Sequence, residues 1–72
     1  MTYAELFTLV NPDAALGEYV TAQPDASGWT VRVRTRRTGS EFVERAPDIG
    51  EAVARAATRV LAARSKAEGT RP

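Results

Sequence analysis

The stretch Trp29-Thr30-Val31-Arg32-Val33-Arg34-Thr35-Arg36-Arg37 decides the fold of this 72-residue chain. Side chains alternate between two faces along a strand, so this pattern predicts a half-buried strand. The apolar face can enter a core, whereas a row of guanidinium groups favours anions, aromatic rings or carboxylates as neighbours. The alternation gives an apolar face and a cationic face, namely Trp29, Val31, Val33 and Thr35 against Thr30, Arg32, Arg34 and Arg36.

A returning strand over residues 41–45 follows, and Thr38-Gly39 between the two strands is typical of a hairpin turn. A two-residue loop would place Val33 opposite Glu44 and bury a carboxylate, which is costly without a partner. We therefore predict a three-residue loop over residues 37–39. The predicted cross-strand pairs are Val33 with Val43 on the core face, and Arg32 with Glu44 (an ion pair) and Arg34 with Phe42 (a cation–π contact) on the outer face.

The first element is predicted to be a short helix. Thr2 and Glu5 have the spacing of a capping box, and the Asn11-Pro12 pair ends the helix because the residue before proline avoids helical backbone angles. A strand over Leu6–Val10 is the alternative, since that run is short and apolar. Apolar side chains follow at helical spacing at Tyr3, Leu6, Phe7 and Val10, which favours the helix and indicates core positions for Tyr3 and Phe7.

The segment between this helix and the cationic strand contains a further strand. Asp13 can cap a single helical turn over residues 14–16, which Gly17 ends. Residues 18–23 include Tyr19, Val20 and Thr21, which favour strands. The cluster over residues 24–28 is typical of a turn.

The last element is a long amphipathic helix. Asp48 is its predicted N-cap, with Glu51 three residues later. The apolar stripe comprises Ile49, Ala52, Val53, Ala56, Ala57, Val60 and Leu61. The sequence thus predicts an α+β class with the order α-β-β-β-α, in which a three-stranded antiparallel meander is packed on one face by two helices. We assign residues 1–66 to one domain and residues 67–72 to a frayed tail.

Composition argues against most catalytic chemistry. The chain contains neither histidine nor cysteine, which removes the commonest general base, the commonest metal ligands and any disulfide. Its net charge is +1, and nine of its ten basic residues are arginine, which also fits a GC-rich bacterial or phage genome. We therefore expect no catalytic residues, no metal, no cofactor and no small-molecule substrate. We also expect a cytoplasmic protein without a membrane segment.

A family pattern can be recognised in the predicted strands and last helix, at Glu18-Tyr19, Trp29–Thr35, Phe42-Val43-Glu44 and Ala52, Ala56-Ala57 and Leu61. With these residues, the predicted element order resembles that of double-stranded-RNA-binding domains, over roughly Tyr3 to Ala63. In that family, lysines at the start of the last helix bind phosphates. The matching positions here are Ile49, Gly50 and Val53, with Glu51 beside them. The resemblance therefore implies the fold without the phosphate clamp, as in relatives that bind proteins or dimerise.

These observations predict a small non-enzymatic module that binds another protein or a second copy of itself, through the arginine face of the sheet or through its open edge. Nucleic-acid binding, through phosphate contacts from the arginine-rich strand, is the alternative. The arginine row also fits a solvated outer face that keeps the hairpin soluble and binds no partner. The candidate binding surface comprises Arg32, Arg34, Arg36, Arg37 and Phe42.

Overall fold

The computed structural model describes the backbone of residues 1–69 and the side chains of residues 1–66. Its order is α-β-β-β-α, which confirms the predicted fold class. Neither described helix is both long and apolar enough to span a membrane. The last helix includes the first three residues of the predicted frayed tail, and residues 70–72 lie outside the described chain. The elements are α1 (Tyr3–Val10), a 3-10 turn (Ala14–Leu16), β1 (Tyr19–Asp25), β2 (Gly28–Thr35), β3 (Ser40–Ala46) and α2 (Ile49–Gly69).

Side-chain caps fix where the helices begin. Thr2 Oγ1 accepts the amide of Glu5 at 3.2 Å while the Glu5 carboxylate accepts the amide of Thr2, which confirms the capping box. Asn11 adopts a left-handed conformation with φ of 49° and ends α1. Asp48 Oδ2 accepts the amide of Glu51 at 3.1 Å at the start of α2. The first element is therefore the predicted helix and not the alternative strand.

The three strands form one antiparallel sheet in the order β1-β2-β3, and both helices pack on the same face of it. α2 lies across β2 and β3, whereas α1 packs against β1 and α2. Alanines at the contact let α2 approach the sheet closely. Trp29 lies on the helix-covered face, half-buried, opposite Ala46. The core consists of Leu6, Val10, Val20, Val31, Val33, Ala46, Ala52, Val53, Ala56, Ala57 and Val60.

Three residues predicted for the core are instead exposed, namely Phe7, Leu61 and, through the hairpin register described below, Val43. Phe7 is 47% exposed, because α1 buries only Leu6 and Val10, and its ring is tilted against that of Tyr3 with the ring centroids 6.4 Å apart. Leu61 is 49% exposed. A stripe that repeats every four residues drifts by about 40° per step on an α-helix. By that drift, Leu61 has moved beyond the buried arc of α2.

The predicted register of the β2–β3 hairpin is wrong by one residue. Val33 lies opposite Phe42, Arg32 opposite Val43 and Arg34 opposite Glu41. Phe42 and Glu44 therefore lie on the helix-covered face, and Val43 lies on the other face. The predicted Arg32–Glu44 ion pair and Arg34–Phe42 cation–π contact do not form.

A four-residue loop over residues 36–39 produces this register, since Thr35 pairs with Ser40. The Glu18 carboxylate accepts the amide of Arg36 at 2.6 Å, and Thr35 Oγ1 accepts the amide of Arg37 at 3.2 Å. Gly39, with φ of 68°, supplies the left-handed residue that closes the loop. These hydrogen bonds give acceptors to the first two backbone amides of the loop. Without them, a loop longer than the predicted three residues would leave these amides unpaired.

Candidate binding surface

The sheet has one face that neither helix covers, which we call the open face. Cross-strand pairing places Tyr19, Arg34 and Glu41 in one row, and Thr21, Arg32 and Val43 in the next. The row after that holds Gln23, Thr30 and Arg45, and Asp25 lies at the end of β1. The exposed side chains on this face are Gln23, Asp25, Arg32, Arg34, Glu41, Val43 and Arg45.

Four of the five predicted surface residues lie on or beside the open face. Arg32 and Arg34 project from β2, and Arg36 and Arg37 lie in the loop that follows it; all four are exposed. Arg45 also belongs to this surface and was missed, because the predicted register did not assign it to the arginine face. The sequence does contain a pattern that groups Arg45 with this surface: Glu41, Val43 and Arg45 alternate along β3 and therefore share one face of the strand.

Phe42 is a correction: it lies on the opposite side of the sheet, half-buried under α2. The guanidinium carbon of Arg59 lies 4.8 Å from the centroid of its ring. Arg59 Nη1 also contacts Glu44 Oε1 at 2.8 Å. The carboxylate that the sequence assigned to Arg32 is therefore bound by Arg59 of α2, because the true register turns both β3 side chains toward that helix.

The ion pairs of the described residues all lie on the helix side of the molecule. They join Arg59 to Glu44 and Arg55 to Glu51, both at 2.8 Å. No ion pair within residues 1–66 involves the arginines of the open face and its adjoining loop. We call this set the open-face arginines: Arg32, Arg34, Arg36, Arg37 and Arg45.

Both carboxylates on the open face accept hydrogen bonds from neutral groups. The hydroxyl of Tyr19 donates to Glu41 Oε2 at 2.7 Å across β2. This bond is the main reason that the pKa of Tyr19 is raised above 10.0; desolvation and the charge of Glu41 add to it, while Arg32 and Arg34 oppose it.

Asp25 is held in the turn between β1 and β2. Its carboxylate accepts the hydroxyl of Thr30 at 2.7 Å, and the amide and hydroxyl of Ser27 at 2.8 and 3.0 Å. These bonds, led by that of Thr30, lower the pKa of Asp25 below 3.8, and the charge of Arg45 adds to the effect. Asp25 therefore stays ionised at neutral pH.

The Tyr19–Glu41 bond gives a titration prediction. We expect Glu41→Ala to lower the pKa of Tyr19 toward its ordinary value, because the acceptor and its negative charge are removed. Glu44→Ala, on the other face of β3, should leave the pKa of Tyr19 unchanged. Ring carbon-13 shifts of Tyr19, followed from about pH 8 to about pH 12, measure both variants.

The same bond makes the fold sensitive to alkaline pH. A pKa that is raised in the folded state contributes stability in full below the unfolded pKa, and this contribution is lost as pH rises through the folded pKa. The contribution of Tyr19 should therefore be complete below about pH 10 and disappear above it. In the titration of Tyr19 described above, equal pKa values in Glu41→Ala and in wild type would contradict the Tyr19–Glu41 hydrogen bond.

An open depression of about 660 Å³ lies where the β2–β3 loop meets the open face. Its cationic wall comes from Arg34 and Arg36, and its acidic wall from Glu41. Glu41 already accepts a hydrogen bond from Tyr19. The guanidinium groups of Arg34 and Arg36 are therefore the polar groups of this depression that are most available to a ligand. An anionic side chain or a phosphate fits this chemistry.

Within the described part of the chain, no group of three acidic side chains is placed to hold a metal ion. No protein-family model matches the sequence, and neither a curated protein nor a solved structure shows a significant match to it.

Proposed function

We propose that this protein is a non-enzymatic binding module that contacts an acidic segment of another protein through its open face. The observation that carries the proposal is the set of open-face arginines, which form no ion pair within residues 1–66. Guanidinium groups bind carboxylates with two parallel hydrogen bonds, so an acidic segment satisfies donors that the fold leaves open to solvent.

The composition of the open face supports a protein partner. Val43 is 41% exposed and lies beside Arg32 in the middle row. Protein interfaces combine arginine with apolar contact in this way. Proteins that bind single-stranded nucleic acid usually stack several bases on aromatic rings. Phe42 lies under α2, so Tyr19 is the one aromatic residue that the described part of the chain places on the open face.

The start of α2 also supports this function over binding to duplex RNA. The topology is compatible with that of double-stranded-RNA-binding domains. At the positions matching the phosphate clamp, however, Val53 is only 1% exposed, and the adjacent Glu51 is paired with Arg55. The resemblance implies that a module with this fold and without the clamp binds proteins. The absence of cysteine supports a cytoplasmic location.

Nucleic-acid binding is the second candidate, because phosphates would satisfy the open-face arginines equally well. It differs in its response to salt. Each neutralised phosphate releases counterions, so affinity should fall steeply as salt rises, and arginine substitutions should weaken all sequences alike.

A pair of titrations tests these functions. Isotope-labelled protein is titrated with a synthetic acidic peptide of Asp, Glu and Phe, and separately with a duplex of about 20 base pairs at about 100 mM salt. We expect the peptide to shift amide signals of β1–β3. Arg34→Glu should weaken peptide binding at least tenfold, or about 1.4 kcal/mol, because an attractive contact becomes repulsive.

Lys66→Glu is the matched control, because it makes the same charge change at an exposed position in the last turn of α2, on the helix side. It should leave peptide affinity within about twofold of wild type. Stronger binding of the duplex, with a steep loss at high salt, would favour the second candidate. Failure of both ligands to shift open-face signals would contradict an anion-binding function.

A further inference from the structure

The free edge of β1 is protected against pairing with another strand. Tyr3 Oη donates to the carbonyl of Val20 at 2.6 Å, so the backbone groups of Val20 point away from β2. Alternate residues of a strand point their backbone groups to the same side, so Ala22 and Pro24 also face this edge. Pro24 has no amide to donate. Ala22 is the remaining edge position with both backbone groups available.

The free edge of β3 is more accessible. Arg55 Nη1 donates to the carbonyl of Arg45 at 2.9 Å, so the backbone groups of Arg45 face away from β2. By the same alternation, those of Val43 and Glu41 face the edge too. Within the described residues, no side chain or loop amide bonds to the backbone of Val43 or Glu41. β3 therefore presents an adjacent set of unpaired amides and carbonyls.

The side chains along this edge are complementary to themselves in one antiparallel register. If two β3 strands pair with Val43 opposite Val43, then Glu41 of each copy lies opposite Arg45 of the other. Two opposite-charge pairs then flank one apolar pair on the open face. Because Val43 faces the edge in both copies, the central pair exchanges two backbone hydrogen bonds.

The helix-covered side is complementary in the same register. Phe42 of one copy lies opposite Glu44 of the other. Since Arg59 already contacts both Phe42 and Glu44 of its own chain, the second Glu44 comes beside the same guanidinium group. Two arginines and two glutamates then form a charge-balanced cluster. The adjacent groove of about 470 Å³, between β3 and the outer side of α2, faces the second copy.

We propose that two copies of this chain associate through their β3 edges, antiparallel and centred on Val43, to form a continuous six-stranded sheet. The inference rests on the proposed function in one respect: the joined sheet presents Arg32, Arg34, Arg36 and Arg37 of both copies on a single binding face, while Arg45 pairs with Glu41 of the other copy. Small domains bury little apolar surface, so such pairing also adds stability to a 72-residue chain.

The test measures mass by sedimentation equilibrium between about 10 µM and about 1 mM protein, with circular dichroism to confirm folding. Wild type should approach twice the 7.8 kDa chain mass. Val43→Pro removes an edge amide, which β3 tolerates, and should leave a folded monomer. Val43→Thr keeps the amide and the branched shape, and should dimerise like wild type.

Charge reversal tests the register. Glu41→Arg and Arg45→Glu should each weaken the dimer at least tenfold, because each places like charges opposite one another at two symmetry-related positions. The double variant restores opposite charges and should recover most of the affinity. A monomer at every concentration would overturn the proposal, as would a dimer that Val43→Pro leaves intact or one that the double variant fails to rescue.

The peptide titration separates this inference from the proposed function. If wild type is a monomer and still binds the acidic peptide, the dimer is overturned and the binding function stands. If wild type dimerises with the expected response to the variants but does not bind the peptide, the dimer stands and the binding function is contradicted.

Discussion

Gly28→Ala is expected to destabilise the fold by roughly 3–5 kcal/mol, the largest loss that we predict for a single methyl group. Gly28 begins β2 with φ of 145°, a conformation that side chains rarely adopt. A Cβ atom there would collide with the carbonyl oxygen of Ala46 and lie 2.6 Å from Cα of Pro47. Both neighbours are backbone atoms, so the clash cannot be relieved by a side-chain rotation.

A total stability of about 4–11 kcal/mol is typical of a chain this size, so such a loss removes a large part of it. Gly39→Ala is the control, because Gly39 has φ of 68° but a Cβ atom there would meet no atom within 4 Å apart from those of its two chain neighbours. It should cost only about 1–2 kcal/mol, for the left-handed conformation alone. Urea denaturation compares the two variants, and equal losses would contradict a clash at Gly28.

The element order was predictable because its signals are local. The capping box at Thr2 and Glu5, the N-cap at Asp48 and the alternation along β2 each depend on residues within a few positions of one another. Local rules of this kind do not require knowledge of distant contacts. They were sufficient to predict two helices packed on one face of a three-stranded meander.

The hairpin register was not predictable from local rules, because long-range contacts decide it. The loop amide of Arg36 is bound by Glu18, which lies 18 residues earlier, and Glu44 is paired with Arg59, 15 residues later. The burial cost of the Glu44 carboxylate counts against this register until the guanidinium group that α2 brings to it is included.

The wrong register of the β2–β3 hairpin also explains the two errors in the candidate binding surface. The arginines of β2 were found because their face depends only on alternation within one strand. The faces of Phe42, Val43 and Arg45 depend on pairing with a second strand, where a slip of one residue turns every side chain to the opposite face. Phe42 was therefore included wrongly, and Arg45 was missed.

A helical apolar pattern likewise does not show which of its residues are buried in the core. Leu6→Ala tests the burial of one such residue. Leu6 is fully buried where α1 meets the sheet and α2. Its truncation should destabilise the fold by about 2–5 kcal/mol, because it removes apolar contact and leaves a cavity. Urea denaturation monitored by circular dichroism measures the loss, and an unchanged m-value excludes a change in the unfolded state.

Leu61→Ala makes the identical chemical change in the other helix, α2. Leu61 belongs to the apolar stripe of α2 by sequence, yet half of its surface remains exposed. Truncation there should change stability by about 0.5 kcal/mol or less, because little contact is lost. If Leu61→Ala instead cost as much as Leu6→Ala, Leu61 would have to be buried, and α2 would have to be rotated relative to the sheet. That rotation would move Ala52 and Ala56 away from the strands, so this pair of substitutions also tests the packing that leaves the open face uncovered.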